Sequence, residues 1–328
     1  MKIRKIGALL LALTMAVSMA AAVSAADHEH EYVDGVCECG KYEAEFITRV
    51  PIKDKYKEPV DEVGILETVT YPTHAYGIKG CEDTQIEKTM QVYLPYGYDP
   101  AVQYNVVYVM HGGGDSEYYW FNDTPVYEGT QTFGKTTKLV LNKMLHDGKI
   151  EPTIFVAPTY VTKYDGKEST DFEAFAIELR QDIIPYVESH YATYALGDVT
   201  EENLKATREH RAFCGYSMGS ICTLQSAMMK TLDLIAYFGA FSGAKTDIGA
   251  FEEAIEGYGL DVLYMYNGNG TNDIAHDEHE QFAADILEQM PETFQNGRNF
   301  CWIDFKGGSH AYNCWIVDLY NCMLVFFK

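Results

Sequence analysis

Ser217 stands in "CGYSMGS" with glycines two positions to either side, and a serine placed this way is a candidate nucleophile. A serine hydroxyl reacts slowly near neutral pH unless a base takes its proton. His310, in "GGSHAYNCW", is the candidate base. Asp273, in "YNGNGTND", is the candidate carboxylate that would fix the imidazole tautomer and stabilise the imidazolium. Asp277 and Glu278 are rivals for that role, but both fall inside the helical stretch that follows. The chain order serine, aspartate, histidine is the order found when a nucleophile sits on a strand-to-helix elbow. Attack on a carbonyl also needs donors for the oxyanion. "HGGGD" (His111–Asp115) offers the amide of Gly113, and Met218, directly after the serine, offers its own. His111 is expected to brace this loop.

These residues need strand ends to converge on. "YNVVYVMH" (Tyr104–His111) is a near-continuous apolar run, as suits a strand covered on both faces of a parallel sheet. It stops at three glycines. "KTMQVYLP" alternates like an earlier strand, and "TIFVAPTY" reads as the next one. "HRAFCGYS" leads straight into Ser217, and "MGSICTLQSAMMK" reads as the helix that begins there. "DLIAYFGAFSG", "DVLYMYNGNG" and "NFCWIDFKGG" are three further strands, and a last helix follows His310. Helices are expected around Thr136–Leu145, Ile248–Glu256 and His276–Gln289. Another is marked by Phe172, Phe175, Leu179, Ile183 and Val187, with Asp171 near its start and a kink at Pro185. Strands alternating with helices predict an α/β fold with a mostly parallel central sheet flanked by helices. Everything from residue 45 to 328 reads as one domain.

The N-terminus reads differently. Lys2, Arg4 and Lys5 precede an apolar run, and Val23 and Ala25 fit a cleavage after position 25, so residues 1–25 are expected to be a secretory signal peptide. No other stretch is long and apolar enough to cross a bilayer. The mature protein is expected to be exported and extracellular. Residues 26–44 form a polar tail in which His28, His30, Cys37 and Cys39 could supply nitrogen and sulfur ligands to zinc, although the Cys-x-Cys spacing is tighter than usual. Eight cysteines in an exported chain suggest disulfides, with one local bridge among Cys301, Cys314 and Cys322 open; Cys214 is expected as a buried thiol. A formal charge of −23 repels phosphate backbones and anionic lipid, which sets aside nucleic acid and membrane partners and leaves neutral polysaccharide compatible. "HDEHE" (His276–Glu280) lacks zinc-protease spacing and reads as a solvated helix face. "GNGTND" lacks the third glycine of a dinucleotide loop.

From about Val69 to the C-terminus the chain resembles the bacterial feruloyl esterases of carbohydrate esterase family 1. The resemblance is carried by "KTMQVYLPYGYD", "VVYVMHGGGDSEYYWF", "DIIPYVE", "CGYSMGS", "YFGAFSG", "NGTND" and "GGSHAYNCW". It implies an α/β-hydrolase fold in which Ser217 is the nucleophile, His310 the base and Asp273 the acid, with Gly113 and Met218 lining the oxyanion hole. It further implies that Trp120 and Trp315 lie near the pocket, where they could stack on a feruloyl ring or pack the core. No metal or organic cofactor is implied, and the substrate would be acylated plant polysaccharide or oligosaccharide. Ser309 departs from the third glycine often found before the histidine. An acetylxylan or short-chain carboxylesterase keeps the same chemistry. A non-catalytic carbohydrate-binding protein on the same scaffold is the alternative of another class.

Overall fold

The computed structural model describes residues 54–124 and 134–328, together with Ile52 and two short N-terminal strands. These are β1 (Tyr32–Val33) and β2 (Val36–Cys37), paired antiparallel with Tyr32 opposite Cys37. The expected leader, and His28, His30 and Cys39 of the expected zinc ligands, lie outside the described residues. Among the described residues no helix is long and apolar enough to cross a membrane.

The frame is an eight-stranded sheet. In chain order its strands are β3 (Ile65–His74), β4 (Gln85–Leu94), β5 (Asn105–Met110), β6 (Thr153–Ala157), β9 (Arg211–Tyr216), β10 (Tyr237–Phe241), β11 (Tyr264–Gly270) and β12 (Phe300–Phe305). A separate hairpin, β7 (Thr162–Tyr164) with β8 (Lys167–Ser169), follows β6. Across the sheet the order is β12, β11, β10, β9, β5, β6, β4, β3. The strands from β12 to β6 run parallel, and β4 and β3 are added antiparallel. This is the expected mostly parallel α/β-hydrolase arrangement.

The sheet forms here because its central strands are apolar on both faces. Along β5, Val106, Tyr108 and Met110 enter one buried cluster while Val107 and Val109 enter the other. On the first side pack α2 (Phe172–Glu178), α3 (Ile184–His190), α5 (Met218–Cys222), α7 (Ile248–Tyr258) and α8 (His276–Gln289), after α1 (Gly134–His146) and α4 (Glu201–Ala206) in the chain count. On the second side lie α1 and α9 (Tyr312–Val325), which contribute Val140, Leu141, Met144, Leu319, Cys322 and Met323. A short α6 (Met229–Thr231) completes the helix that begins at the elbow.

Asp171 caps α2 by accepting from the Glu173 amide at 2.9 Å, as its position predicts. The kink expected at Pro185 takes the form of a wide turn. Leu179–Ile183 is π-helical, and the Ile184 amide reaches back five residues to Leu179 O. Proline lacks a donor and crowds the carbonyl four residues back, so widening the preceding turn accommodates it. The local bridge left open among Cys301, Cys314 and Cys322 does not form: all three are buried free thiols, as is Cys214. Cys301 belongs to β12 and the other two to α9, and sequence proximity does not bring their sulfurs together.

Candidate active site

Ser217 joins β9 to the helix beginning at Met218, and its backbone is left-handed, φ 55° and ψ −120°. The flanking glycines are required by contact. A Cβ on Gly215 would stand 2.5 Å from Gly219 O, and one on Gly219 would stand 2.5 Å from His111 O and 2.8 Å from Met110 O. The elbow is therefore wedged against the end of β5. Gly219→Ala should force β5 and the elbow apart, lowering stability by about 1–3 kcal/mol, which a shifted midpoint in urea unfolding would show.

The loops after β11 and β12 are joined along their length. Asn272 N donates to Gly308 O at 2.8 Å, Thr271 N to Phe305 O at 2.9 Å, and Gly307 N to Thr271 Oγ1 at 2.8 Å. A Cβ on Gly270 would stand 2.4 Å from the Gly308 carbonyl carbon, so this glycine of "NGNGTND" serves close packing of the two loops, while Gly268 makes room for Asp318 of α9. Together the loops bring Asp273 and His310 to the elbow. His310 Nε2 lies 2.9 Å from Ser217 Oγ, and His310 Nδ1 lies 2.8 Å from Asp273 Oδ1.

With the carboxylate ionised, Nδ1–H donates to it and Nε2 is left to accept the serine proton. Burial works against that charge, but the hydrogen bonds from His310 and the Ala275 amide oppose it, and the carboxyl is held below its ordinary value. The Asp273 side chain is fully buried, while that of His310 remains 25% exposed and so reachable by a substrate. Asp277, a rival carboxylate, instead meets His276 at 3.2 Å, and both it and Glu278 are exposed on α8.

The glycine loop lies against the elbow. A Cβ on Gly112 would stand 2.5 Å from the Tyr216 ring and 3.4 Å from Ser217 Cβ, and one on Gly113 would stand 3.1 Å from Met218 Cγ. His111 braces the loop from beneath. Its Nδ1–H donates to Gly112 O at 2.8 Å, its Nε2 accepts from Thr159 Oγ1 at 2.8 Å, and its ring stacks on Tyr160. Burial pushes its pKa down to about 4, so it stays neutral. At the far end, Tyr216 donates to Asp115 Oδ2 at 2.7 Å.

Trp120 is a correction. It is fully buried, donates through Nε1 to Met110 O at 3.2 Å, and packs among Tyr119, Tyr216 and Tyr312. It has no face to offer an aryl ring. Trp315 is also buried: it stacks on Tyr216 with centroids 4.0 Å apart, meets His310 edge-on, and donates to Ser242 Oγ at 2.9 Å. One face of Trp315 is thus taken by Tyr216, and the ring as a whole is buried.

"HDEHE" is solvated only in part, because His279 is fully buried. Its Nδ1 accepts from the Gly243 amide and from Asn269 Nδ2, each at 3.3 Å, and burial pushes its pKa to about 3. No local pattern marks Ser242, which follows β10 and accepts from Trp315 Nε1 at 2.9 Å. Among the described residues, His276, Glu280 and Asp304 place three possible metal-ligand atoms within 4.8 Å of one another. Glu280 and Asp304 are exposed, and His276 Nε2 already meets Asp304 at 2.8 Å.

The family described as "Putative esterase" matches residues 82–319. The chain is 32% identical over 304 residues to the endo-1,4-beta-xylanase Y of Acetivibrio thermocellus, covering 88% of this chain and 25% of that protein. To the endo-1,4-beta-xylanase/feruloyl esterase of Xylanibacter ruminicola it is 29% identical over 206 residues, covering 59% of this chain and 24% of that protein. It therefore spans about a quarter of the length of these curated relatives. A serine-to-alanine variant of the feruloyl esterase module from Clostridium thermocellum, complexed with sinapinate, superposes with a TM-score of 0.71 at 30% identity, covering 85% of this chain and 93% of that one. A family match over most of the chain and a relative matched over nearly its whole length lead to one assignment: the chain belongs to this esterase family, as an α/β-hydrolase of the carbohydrate esterase family 1, feruloyl-esterase-like type.

Proposed function

We propose that the chain is a secreted serine esterase that hydrolyses ester-linked acyl groups on plant cell-wall polysaccharide, feruloyl esters of xylan foremost. The observation that carries this reading is the hydrogen-bonded line from Ser217 through His310 to the buried Asp273. The feruloyl and xylan parts draw on the relatives, two of which are named for xylanase or feruloyl esterase activity and one of which is a feruloyl esterase module bound to sinapinate. The secretory leader of the sequence and the strong negative charge suit an exported enzyme on a neutral polymer.

In this mechanism His310 Nε2 takes the proton of Ser217 Oγ as the oxygen bonds to the ester carbonyl carbon. The carbonyl π electrons move to oxygen, and the oxyanion accepts from the amides of Gly113 and Met218. When the tetrahedral intermediate collapses, the carbon–oxygen bond to the sugar breaks and the leaving oxygen takes the proton back from His310. Water then gives a proton to His310 and attacks the acyl-enzyme. Collapse frees the acid and returns the proton to Ser217. Asp273 stays ionised throughout and stabilises the imidazolium.

The mature protein should release ferulate from methyl ferulate with a kcat/KM well above that for acetate release from acetylated xylan. A strong preference for acetyl would reassign the acyl group while leaving the triad in place. No release from either ester would favour the binding-protein reading.

A further inference from the structure

The carbonyl of Gly112 and the amide of Gly113 are two ends of one trans peptide, so they point in opposite directions. Whatever holds the oxygen therefore aims the N–H. Gly112 O accepts from His111 Nδ1–H at 2.8 Å, from the Tyr160 hydroxyl at 3.3 Å and from the Asp115 amide at 3.4 Å. The first of these contacts fixes the imidazole, because a carbonyl can only accept. Nδ1 must carry the proton, and Nε2 must be an acceptor.

Thr159, two residues beyond β6, supplies the donor for Nε2 at 2.8 Å. Its hydroxyl is oriented from the other side by the Val161 amide, which donates to Oγ1 at 3.2 Å. Its carbonyl accepts from Lys88 Nζ of β4 at 2.9 Å. Lys88 is buried and reaches Glu178 Oε2 at the end of α2, 2.7 Å away, while Tyr71 of β3 donates to Oε1 at 2.8 Å. A buried ion pair of this kind often adds little stability over apolar side chains of the same volume. Its contribution here is position, because it ties β3, β4 and α2 to the backbone of Thr159. Tyr160 lies with its ring stacked on His111, 4.8 Å between centroids, and both it and Thr159 are buried.

We propose that Thr159 and Tyr160 are positioning residues of the oxyanion hole. The Thr159 hydroxyl, seated by the buried Lys88–Glu178 pair, holds His111 in its Nδ1–H tautomer. His111 and Tyr160 together pin the Gly112 carbonyl, and this aims the Gly113 amide at the oxyanion. Donors on the carbonyl also polarise the peptide and strengthen its N–H as a donor. This inference rests on the esterase reading above.

Thr159→Val keeps the shape of the side chain and removes the proton that Nε2 accepts. The imidazole can then move its own proton to Nε2, which leaves a bare Nδ1 facing Gly112 O and frees the peptide to turn. Losing an oxyanion donor outright costs about 10²–10³-fold. Misaiming one should lower kcat for methyl ferulate about tenfold with KM unchanged, because the oxyanion exists only beyond the ground state. Thr159→Ser restores the hydroxyl and should bring kcat back to within about twofold of the parent. Tyr160→Phe keeps the ring on His111, deletes the longer of the two side-chain donors and should lower kcat about threefold, again with KM unchanged.

A kcat for Thr159→Val within about twofold of the parent's overturns the proposal, and so does a rise in KM alone. A loss of kcat that Thr159→Ser shares overturns it too, since general loosening of the loop is not rescued by a hydroxyl. Should Thr159→Val fail to fold, Tyr160→Phe decides, and an unchanged kcat there sinks the idea. If the parent hydrolyses no ester, the esterase reading fails alone. The ring-nitrogen NMR resonances of His111 and the amide resonance of Gly113, read without substrate, then decide. A proton on Nδ1 in the parent together with a displaced Gly113 amide in Thr159→Val upholds the role; a proton on Nε2 in the parent, or an unmoved amide, overturns it.

Discussion

Ser217→Ala is expected to lower kcat for methyl ferulate by about 10⁵–10⁶-fold while the protein still folds. Folding survives because alanine meets the left-handed backbone at position 217 with the same Cβ that serine has, and the hydroxyl's one hydrogen bond, to His310, is made at the solvent-reachable edge of the site. The glycines that let the elbow close are untouched. What disappears is the covalent route. His310 and Asp273 remain hydrogen-bonded, but without the serine oxygen the imidazole can only activate water, in a geometry built for a different attacking atom. A residual rate about 10³-fold above solution would persist from the amides of Gly113 and Met218 and from substrate binding. Ferulate release and mass spectrometry for the acyl-enzyme are the two measurements. A variant that keeps turnover within tenfold of the parent, or still acquires the acyl mass, would remove Ser217 from the role proposed for it.

The convergence that gives this prediction its size was largely legible along the chain, for a physical reason. A strand buried on both faces must be apolar throughout, so β5 and β9 stand out, and loops at their ends carry glycine wherever backbones touch. Gly215, Gly219 and Gly270 each mark such a contact. The edge of the sheet was harder to read. β3 is half exposed and contains Pro72, tolerated because an edge strand leaves one side of its ladder unpaired, and its weak alternation carries little signal. Its partner β4 begins earlier than its apolar part, for the same reason.

Side-chain roles set by tertiary contact were not legible at all. Trp120 and Trp315 are equivalent in a sequence, and only packing shows that one caps the end of β5 while the other reaches Ser242. His279 sits among charged neighbours on α8, yet it faces inward because its position on the helix points at Gly243, Asn267 and Asn269. Ser242 is a single small residue after a strand. Its left-handed turn depends on partners from β11, α8 and α9, and no local pattern encodes them.

At position 273, alanine and asparagine are expected to behave differently. Oδ1 of Asp273 accepts two N–H groups, from His310 Nδ1 at 2.8 Å and from the Ala275 amide at 2.8 Å. An asparagine must therefore keep its carbonyl oxygen there, because an amide NH2 would face two donors. Where a carboxylate lacks such a second donor, asparagine can turn its NH2 to the ring, invert the tautomer and cost about 10⁴-fold. Here the tautomer is retained and only the charge opposite the imidazolium is lost, so Asp273→Asn should lower kcat by about 10²–10³-fold. Asp273→Ala removes the orienting acceptor as well, leaves the Ala275 amide unpaired, and should cost about 10⁴-fold. The reverse ranking would mean that the Ala275 amide does not fix the side chain. Stability supplies a second measurement. The folded carboxyl titrates below its ordinary value, so its contribution is complete above the unfolded pKa and is lost as pH falls through the lowered folded one. The stability gap between parent and Asp273→Asn should accordingly be widest near neutrality and narrow on acidification, and a gap that grew towards acid would contradict an ionised, hydrogen-bonded Asp273.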